Sequence, residues 1–269
     1  MTTGNYYKNK VVIITGSSMG IGKELARQVL IFGGKVVITG RNQERLEKVK
    51  VEFWQYVNNV LIHNGNVADF EDNIILVQKV ISHFGKIDIL INNAGLSGFC
   101  EIEKMNKDIA KQIIDTNIYG SLFPSIAALP ELQKTKGSVL YVSSIAGFHG
   151  LPGYSTYSLS KMSLKALAQS LYVEMKNKNV FAGITYVGFT ENEDEKKTLS
   201  PEGEWVDVPK RPKIFTSSRQ RTALKILKQI KNKKHSKVHS LLGTITYRLS
   251  NFFPVLITEI IRKTHQPDK

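Results

Sequence analysis

Short apolar runs rich in β-branched residues alternate with longer amphipathic segments along the first two thirds of the chain. Each run is continuously apolar, as is typical of parallel strands that are buried on both faces. Strict alternation of such strands with helices predicts an α/β fold, a three-layer, doubly wound parallel sheet with right-handed crossovers. The predicted strands are residues 10–16, 35–40, 60–65, 87–95, 137–144 and 180–188.

The alternation then ends, and the composition changes. Residues 191–216 are polar, charged and interrupted by three prolines, so we predict a long mobile loop rather than a strand or a continuous helix. Helical spacing returns afterwards, with Ser217 or Ser218 as a suitable N-cap. We therefore divide the chain into a domain at 8–190, a loop at 191–216 and a basic helical extension of the same domain at 217–269.

A length of 269 residues with 42% hydrophobic composition suits one large domain. The single cysteine, Cys100, excludes an intramolecular disulfide framework and a multi-thiolate metal site, and we predict no metal. A lone cysteine fits a reducing compartment, so we expect a cytoplasmic protein. The polar start lacks the apolar stretch of a secretory signal, and no run of about 18 apolar residues predicts a spanning helix. Any membrane contact is therefore expected to be peripheral.

The formal net charge of +14 is concentrated near the C-terminus. Residues 1–206 carry 22 Lys and Arg against 20 Asp and Glu, whereas residues 207–269 carry 15 against 3. The basic part includes an apolar stretch, "LSNFFPVLITEIIRK" (249–263). This combination suits contact with an anionic membrane surface, or packing on the sheet or on a partner subunit. We predict no nucleic-acid binding, because no recognition helix, zinc spacing or aromatic RNA motif accompanies the charge.

The first predicted strand runs into "TGSSMGIG" (15–22), a glycine-rich turn before a helix. Glycines there let the backbone turn sharply and approach a pyrophosphate, and the first amides of the helix favour the anion. The order G-x-x-x-G-x-G with a preceding threonine, together with "NNAG" at 92–95, resembles the short-chain dehydrogenase/reductase (SDR) family. The resemblance extends over about residues 8–190, and it implies a Rossmann fold that binds a nicotinamide dinucleotide.

The same resemblance implies which residues contact the cofactor. In the family an aspartate after the third strand binds the adenine amino group; Asn66 stands there in this chain, and its side-chain carbonyl can accept the same hydrogen bond. The family's "NNAG" segment steadies the sheet and packs against the cofactor. The contacts implied in this part of the chain are Gly16, Ser18, Gly20, Ile21, Gly22, Asn66, Val67, Asn93, Ala94 and Gly95.

The end of the second predicted strand, "VVITGRN", bears on the choice between NAD(H) and NADP(H). An acidic residue there would accept a hydrogen bond from the ribose 2′-hydroxyl, whereas an arginine would pair with a 2′-phosphate. Gly40 stands where NAD-preferring members of the family carry the acid, and Arg41 follows it. We therefore predict NADP(H) in preference to NAD(H).

The stretch "YSTYSLSK" (154–161) contains two tyrosines and a lysine. Residues four apart share one face of a helix, so Tyr157 and Lys161 point the same way, whereas Tyr154 lies two turns from the lysine. A free phenol has a pKa of about 10, and a neighbouring ammonium lowers the pKa by favouring the phenolate. Tyr157 is therefore the predicted proton-transfer residue.

The family resemblance implies the same assignment and adds two residues to it. The motif Tyr-x-x-x-Lys is preceded in the family by a catalytic serine thirteen positions earlier, which is Ser144 here rather than Ser143. The serine would hold the substrate oxygen while Tyr157 exchanges its proton, and Lys161 would also bind the nicotinamide ribose. The family's fourth catalytic residue, an asparagine that anchors a water, falls on Asn117.

The sequence departs from the family after the sixth strand. The usual Pro-Gly is replaced by Val-Gly at Gly188, and the threonine that would contact the nicotinamide amide is displaced. Thr190 comes two positions early, and Asn192 stands at the commonest threonine position. We include Gly188 and Thr190 among the cofactor contacts, and either Thr190 or Asn192 can bond the carboxamide.

Together these features predict an NADP(H)-dependent oxidoreductase that moves hydride between the nicotinamide and a ketone or secondary alcohol. One alternative is a membrane-associated reductase of long-chain lipid or sterol ketones, since SDR members with an extended C-terminus often act on lipids. The other is a non-catalytic dinucleotide-binding sensor. By the same resemblance we expect a homodimer or homotetramer and a small carbonyl or alcohol substrate.

Overall fold

The computed structural model describes residues 2–193, 197–200, 202–207 and 215–264. Its central sheet contains seven parallel strands, and a separate antiparallel pair lies beside it. The central strands are β1 (Val11–Ile14), β2 (Lys35–Gly40), β3 (Val60–Asn64), β4 (Ile89–Asn92), β5 (Ser138–Ser144), β6 (Phe181–Val187) and β9 (Ser236–Val238); the pair is β7 (Lys197–Leu199) and β8 (Trp205–Asp207). The spatial order β3-β2-β1-β4-β5-β6-β9 reverses direction between β1 and β4, where a crevice forms at the carboxyl ends of the strands.

Helices cover both faces of this sheet. They are α1 (Thr3–Tyr7), α2 (Gly20–Ile31), α3 (Gln43–Glu52), α4 (Phe70–Phe84), α5 (Lys107–Ile114), α6 (Gly120–Thr135), α7 (Ser155–Glu174), α8 (Arg219–Lys231), α9 (Leu241–Phe252) and α10 (Pro254–Thr264). The two faces carry separate apolar cores, one containing residues of α2 and α8 and the other residues of α4, α6 and α7. The doubly wound, three-layer fold predicted from the sequence is confirmed.

All six predicted strands are present, and the seventh strand, β9, was not predicted. It is only three residues long and pairs with β6 through the register Ile184 to Ser236. Two of its three residues are exposed, so it lacks the continuous apolar run that marks the other strands. An edge strand of this kind is specified by pairing and leaves little trace in the sequence pattern.

The prediction of a loop without strands at 191–216 is wrong for part of that segment. Strands β7 and β8 form a hairpin, and Leu199 pairs with the loop after β4: Phe99 N–H donates to the Leu199 carbonyl at 3.1 Å, and Leu199 N–H donates to the Ser97 carbonyl at 3.1 Å. The Leu199 side chain is buried against Ile109 and Ile113. Hydrogen bonds to a distant loop and burial of Leu199 therefore stabilise strands here, although the segment has a polar composition. Residues 194–196, 201 and 208–214 of the predicted loop lie outside the described residues.

Helix α8 belongs to the core rather than to a detached tail. Of the two serines predicted as its N-cap, Ser218 is the one that caps the helix. The Ser218 hydroxyl accepts from the Arg221 N–H at 3.2 Å. Ala223, Ile226, Leu227 and Ile230 are buried against α2 and the sheet, among other core residues. The Tyr7 hydroxyl at the end of α1 donates to the Leu227 carbonyl at 2.8 Å. Helix α8 is thereby joined to α1 on the face of the sheet that also carries α2.

Helices α9 and α10 pack on the protein through one face only. The ring of Tyr247 lies 5.0 Å from that of Phe148, and Gly243 and Ile257 are buried. The opposite side carries exposed large apolar residues: Leu241, Leu242, Ile245, Phe252, Phe253, Val255, Leu256 and Ile260. In the described part of the chain, no helix is both long and apolar enough to cross a membrane.

Candidate active site

The glycine-rich turn after β1 is held by buried hydrogen bonds. The Thr15 hydroxyl accepts from the backbone N–H groups of Asn93 and Ala94 at 2.9 and 3.0 Å. Gly16 has φ +61°, and a Cβ there would lie 2.7 Å from the Ala94 Cα. A Cβ at Gly22 would clash with the Gly16 carbonyl oxygen. The turn therefore requires glycine at both positions, and it presents bare backbone at the crevice.

An acidic side chain occupies the start of α2. Glu193 Oε1 accepts from the Gly20 N–H at 3.0 Å, lies 2.7 Å from Arg219 Nη1, and lies 3.4 Å from Lys23 Nζ. The first amides of a helix favour an anion, and in this fold a dinucleotide pyrophosphate binds there. The sequence interpretation did not identify Glu193 or Arg219, because each lies in a polar, charged stretch without a motif.

Arg41 and Asn66 line the same surface cavity at the ends of β2 and β3. The cavity has a volume of about 370 Å³, and Lys111 and Thr116 also line it. Asn66 is exposed, and its Oδ1 accepts from the Ala68 N–H at 3.1 Å, so it retains a second lone pair. The structure thus places the two predicted adenosine contacts together.

The predicted Ser18 and Val67 lie nearby, on opposite sides of the crevice. A Cβ at Gly40 would lie 3.1 Å from the Ser18 hydroxyl, so the absence of a side chain at the end of β2 leaves room beside Ser18. The Val67 carbonyl accepts from Asn73 Nδ2 at 2.9 Å, and its side chain contacts α6 beside Gly120. Val67 is therefore held between α4 and α6, and Gly40 leaves the Ser18 side chain uncrowded.

Tyr157 and Lys161 lie on one face of α7, as predicted. The Lys161 ammonium lies 5.9 Å from the centroid of the Tyr157 ring and donates to the Val142 carbonyl at 3.1 Å. The lysine is buried, whereas the tyrosine is half-buried. The lysine is thus anchored to β5 with its ammonium beside the Tyr157 ring.

Asn117 connects this pair to the segment after β4. It lies in a π-helical turn (Asp115–Tyr119), an irregularity that is frequent at functional sites. Its Oδ1 accepts from the Leu96 N–H at 2.7 Å, and its Nδ2 donates to the Leu96 carbonyl and to Ser160 Oγ. The Ser160 hydroxyl donates to the Tyr157 carbonyl at 2.7 Å. Ser160 is a connecting residue that the sequence interpretation missed.

The Gly95 backbone lies close to the Lys161 ammonium. A Cβ at this position would lie 3.1 Å from Lys161 Nζ and 3.2 Å from Asn117 Oδ1. These distances are tighter than ordinary van der Waals contact, so a side chain here would press on both polar groups. The lack of a side chain at Gly95 therefore leaves room for the Lys161 ammonium and the Asn117 side chain.

The two serines at the end of β5 have different environments. Ser143 is buried, and its hydroxyl donates to the Lys161 carbonyl at 2.8 Å, which holds α7 against the strand. Ser144 is partly exposed at the end of β5, and its Oγ accepts from the Ala146 N–H at 3.3 Å. The Ser144 hydroxyl proton is therefore available to a substrate oxygen, whereas Ser143 has a structural role.

The segment after β6 distinguishes the two candidate carboxamide contacts. Thr190 is buried, and its hydroxyl lies 3.3 Å from the Gly188 carbonyl and 3.4 Å from the Thr222 hydroxyl. Asn192 Oδ1 is buried, and it has no hydrogen-bond partner in the described part of the chain. A buried acceptor of this kind normally has a donor. Asn192 therefore fits a ligand N–H better than Thr190 does.

Burial favours the neutral forms of two further titratable groups, the Tyr141 phenol and the Cys100 thiol. Burial raises the pKa of Tyr141 to about 12, and its hydroxyl donates to Ser125 at 3.0 Å. Burial also raises the pKa of the Cys100 thiol, so the cysteine is a poor nucleophile and packs as a structural residue. Within the described ranges, no group of three or more His, Cys, Asp and Glu side chains is arranged to hold a metal ion.

Comparison with known proteins agrees with this geometry. Residues 10–202 match the family model described as short chain dehydrogenase. The dehydrogenase/reductase SDR family protein 7-like of Dictyostelium discoideum is 33% identical over 95% of this chain and 80% of its own length. The 11-beta-hydroxysteroid dehydrogenase 1A of Arabidopsis thaliana is 35% identical over 73% of this chain, which spans 57% of that relative.

A solved structure extends the agreement to three dimensions. The alcohol dehydrogenase from Thermococcus sibiricus, complexed with 5-hydroxy-NADP, is 25% identical, with a TM-score of 0.74 over 87% of this chain and 97% of its own. Members of the matched family are oxidoreductases that bind a nicotinamide dinucleotide. From the family model, the relatives and the fold together, the chain belongs to the short-chain dehydrogenase/reductase family.

Proposed function

We propose that this protein is an NADP(H)-dependent oxidoreductase that interconverts a ketone and a secondary alcohol, with Tyr157 as the general acid and base. The observation that carries the proposal is the Lys161 ammonium, which is buried over the Tyr157 ring and anchored to β5. A cation in this position stabilises a phenolate, which is the form of tyrosine that accepts a proton from an alcohol.

The residues around Tyr157 have separate roles in the proposed reaction. In the reduction direction, the Tyr157 hydroxyl gives its proton to the substrate oxygen, and the Ser144 hydroxyl donates a hydrogen bond to the same oxygen. Lys161 stabilises the resulting phenolate. Asn117 positions α7 through Ser160 and fixes the Leu96 backbone, which borders the crevice. In the oxidation direction, the same groups act with the proton transfers reversed.

The crevice fits a nicotinamide dinucleotide. Gly16 and Gly22 leave bare backbone where a side chain would clash, and Asn192 Oδ1 is a buried acceptor suited to a carboxamide N–H. When bound, the cofactor would supply or accept the hydride. Arg41, in the cavity at the adenosine end, favours the additional 2′-phosphate of NADP(H). The comparison structure from Thermococcus sibiricus, which contains 5-hydroxy-NADP, supports the same preference.

We further propose a lipid-like substrate and a peripheral position at an anionic membrane surface. A relative at 35% identity is named a hydroxysteroid dehydrogenase, although the chain spans only 57% of it. The exposed apolar side chains of α9 and α10 lie on the same helices as Arg248, Arg262 and Lys263. An apolar face with adjacent basic residues suits insertion into an interface of anionic lipid.

We also propose assembly into a dimer or tetramer through α6 and α7. These helices expose the large apolar side chains of Ile126, Leu159, Met162, Tyr172 and Val173. Helix α7 carries Tyr157 and Lys161, and α6 follows directly on the turn that contains Asn117. Exposed apolar side chains on adjacent elements are typical of interaction surfaces. Assembly through them would place an interface close to the active site.

Replacing Tyr157 with Phe tests the catalytic assignment. We expect a loss of kcat of at least about 10³-fold toward ketones, because the only proton donor of the proposed reaction is removed. The affinity for NADPH, measured by fluorescence titration, should stay within about threefold, since the ring and its packing remain. Steady-state reduction of a panel of cyclic and lipid-like ketones gives the rate.

The matched control is Tyr154→Phe, which removes a hydroxyl from the same segment. Tyr154 precedes α7, and its ring lies 5.1 Å from that of Phe99. This variant should keep kcat within about threefold of the wild type. Full activity in Tyr157→Phe would refute the assignment, and tight NADPH binding without turnover of any ketone by the wild type would favour the dinucleotide sensor.

A further inference from the structure

Glu193 places a negative charge at the helix end where the cofactor diphosphate is expected. Its carboxylate accepts from the Gly20 N–H at 3.0 Å, and it forms ion pairs with Arg219 at 2.7 Å and Lys23 at 3.4 Å. The side chain is only 18% exposed. Three donors from two helices, α2 and α8, thus converge on one carboxylate, as they would on a bound anion.

A carboxylate and a diphosphate cannot share this position. Both are anions, both would accept from the same amide, and their repulsion would be weakly screened in a crevice of low exposure. Cofactor binding therefore requires Glu193 to leave. When Glu193 leaves, Lys23 keeps its ion pair with Glu52 at 3.4 Å, and the guanidinium of Arg219 is available to the diphosphate.

The three charged groups differ in how they are held. Lys23 lies on α2, and Arg219 is the first residue of α8, whose N-cap hydrogen bond and buried face fix the helix to the core. Glu193 follows β6 and belongs to no helix or strand. The cations are therefore carried by fixed helices, whereas the carboxylate is carried by a residue outside the regular elements, which can be displaced at lower cost.

We propose that, before the cofactor binds, the Glu193 carboxylate lies where the cofactor diphosphate will bind. Arg219 is then a further cofactor-binding residue, which pairs first with Glu193 and, once the cofactor is bound, with the diphosphate. This inference rests on the proposed dinucleotide-binding function. It implies that Glu193 reduces cofactor affinity, because only the fraction of molecules with the carboxylate displaced can bind. It also implies that cofactor entry moves the Glu193 side chain away from the Gly20 amide.

The first test compares Glu193→Gln with the wild type by fluorescence titration of NADPH. The substitution keeps the shape of the side chain and removes the charge that competes with the diphosphate. We expect the Kd for NADPH to fall on the order of 10-fold. ADP-ribose, which has the diphosphate and lacks the nicotinamide, should gain by the same factor, which separates the effect from the neighbouring Asn192.

The matched control is Glu191→Gln, which makes the same charge change on an exposed residue of the same segment. It should leave the Kd for NADPH and for ADP-ribose within about twofold. Equal gains in Glu191→Gln and Glu193→Gln would overturn the inference, because the cause would then be the general charge of the segment.

The second test examines Arg219 in both backgrounds. In the wild type, Arg219→Gln should change the Kd for NADPH little, because it weakens both the state in which Glu193 pairs with Arg219 and the cofactor complex. In the Glu193→Gln background, the same change should raise the Kd about 10-fold, since only the cofactor contact remains to be lost. Arg221→Gln, on an exposed position of the same helix, is the control and should have no effect in either background.

The outcomes separate this inference from the proposed function. A wild-type protein that binds neither NADPH nor NADH, with Glu193→Gln equally inactive in binding, would refute the dinucleotide-binding function itself. Binding by the wild type with an unchanged or weaker Kd in Glu193→Gln would refute only the exchange. In that case the carboxylate is a permanent structural partner of Arg219, and thermal unfolding of Glu193→Gln should show a lowered Tm.

Discussion

The cofactor crevice and the helix pair α9–α10 lie in the same fold but differ in how far their side chains find partners within the protein. In the crevice, the hydroxyls of Thr15 and Ser17 and the amide of Asn93 all form hydrogen bonds to the backbone of neighbouring strands and turns. In α9–α10, large apolar side chains face outward, and Phe252 and Val255 are 73% and 75% exposed.

The difference follows from what each region would contact. The crevice must hold a ligand whose shape is constant, so its backbone is fixed in advance by internal hydrogen bonds. The helix pair has a large apolar surface that the described residues do not cover, and surfaces of this kind are typical of interaction sites. The first region can therefore be tested by disturbing its packing, and the second by removing its exposed apolar groups.

The largest effect is expected from Gly22→Ala in the crevice. A Cβ there would clash with the Gly16 carbonyl oxygen and lie 2.6 Å from Asn93 Nδ2, so the turn or α2 must shift. We expect NADPH affinity to fall by at least about 100-fold, because the backbone that approaches the diphosphate is displaced. The free energy of unfolding should fall by about 1–3 kcal/mol from overpacking. Fluorescence titration and urea unfolding measure the two effects.

Gly150→Ala is the control for this prediction. A Cβ at Gly150 would meet no other atom within 4 Å in the described structure, so the same chemical change introduces no clash. This variant should keep both NADPH affinity and stability close to those of the wild type. Equal losses in the two variants would show that the effect of Gly22→Ala comes from glycine replacement in general.

Much of the crevice could be predicted from the sequence because its requirements are local. The apolar runs of β1 and β2 and the glycines after β1 are consecutive in the chain, and spacing alone places Tyr157 and Lys161 on one face of α7. The choice of Ser144 over Ser143 also came from a fixed spacing in the family. In the structure the Ser143 hydroxyl is bonded to the Lys161 carbonyl, and Ser144 is the partly exposed serine of the pair, but its catalytic role stays a prediction.

The features that the sequence did not reveal all depend on distant partners. Leu199 forms a strand because it pairs with the loop after β4, about a hundred positions away. Glu193 meets the Gly20 amide across a separation of 173 positions, and no local pattern distinguishes it from neighbouring acids. Ser160 acts by connecting Asn117 with the Tyr157 carbonyl. Contacts of this kind are set by tertiary structure, which single-sequence periodicity does not encode.

A smaller effect, confined to one ligand, is expected from Arg41→Ala at the adenosine end of the crevice. Arg41 is exposed in a cavity shared with Asn66, and it has no part in the core. We expect the Kd for NADPH to rise about 10–100-fold through loss of charge-assisted hydrogen bonds to the 2′-phosphate, while the Kd for NADH changes by less than about twofold.

The control for the arginine is Arg27→Ala, which removes the same charge from α2, where Arg27 pairs with Glu52 at 3.1 Å. It should leave the ratio of the two dissociation constants unchanged. A wild-type protein that binds NADPH and NADH equally, or an equal loss for both cofactors in Arg41→Ala, would contradict the assignment of the 2′-phosphate to Arg41. The dinucleotide-binding function would stand in either case.

The smallest effect is expected at the helix pair, where Phe252 and Phe253 are 73% and 58% exposed. Replacing both with Ser removes exposed apolar area and leaves the buried contacts of Gly243 and Ile257 in place. Because each aromatic contributes on the order of 1–3 kcal/mol when fully buried, partial insertion should be weakened about 10-fold by the double variant. Co-sedimentation with vesicles containing phosphatidylserine measures the partition coefficient.

The control is Trp54→Ser, which removes an equally exposed aromatic beside β3, far from the basic C-terminal helices. Wild type and control should bind anionic vesicles alike and bind neutral ones weakly, and binding should fall with salt because the basic residues contribute electrostatically. If the double variant binds anionic vesicles as well as the control does, the apolar face does not enter a bilayer. A change in its sedimentation coefficient would then show that a second copy of the chain covers the face, because the same apolar side chains would stabilise a dimer.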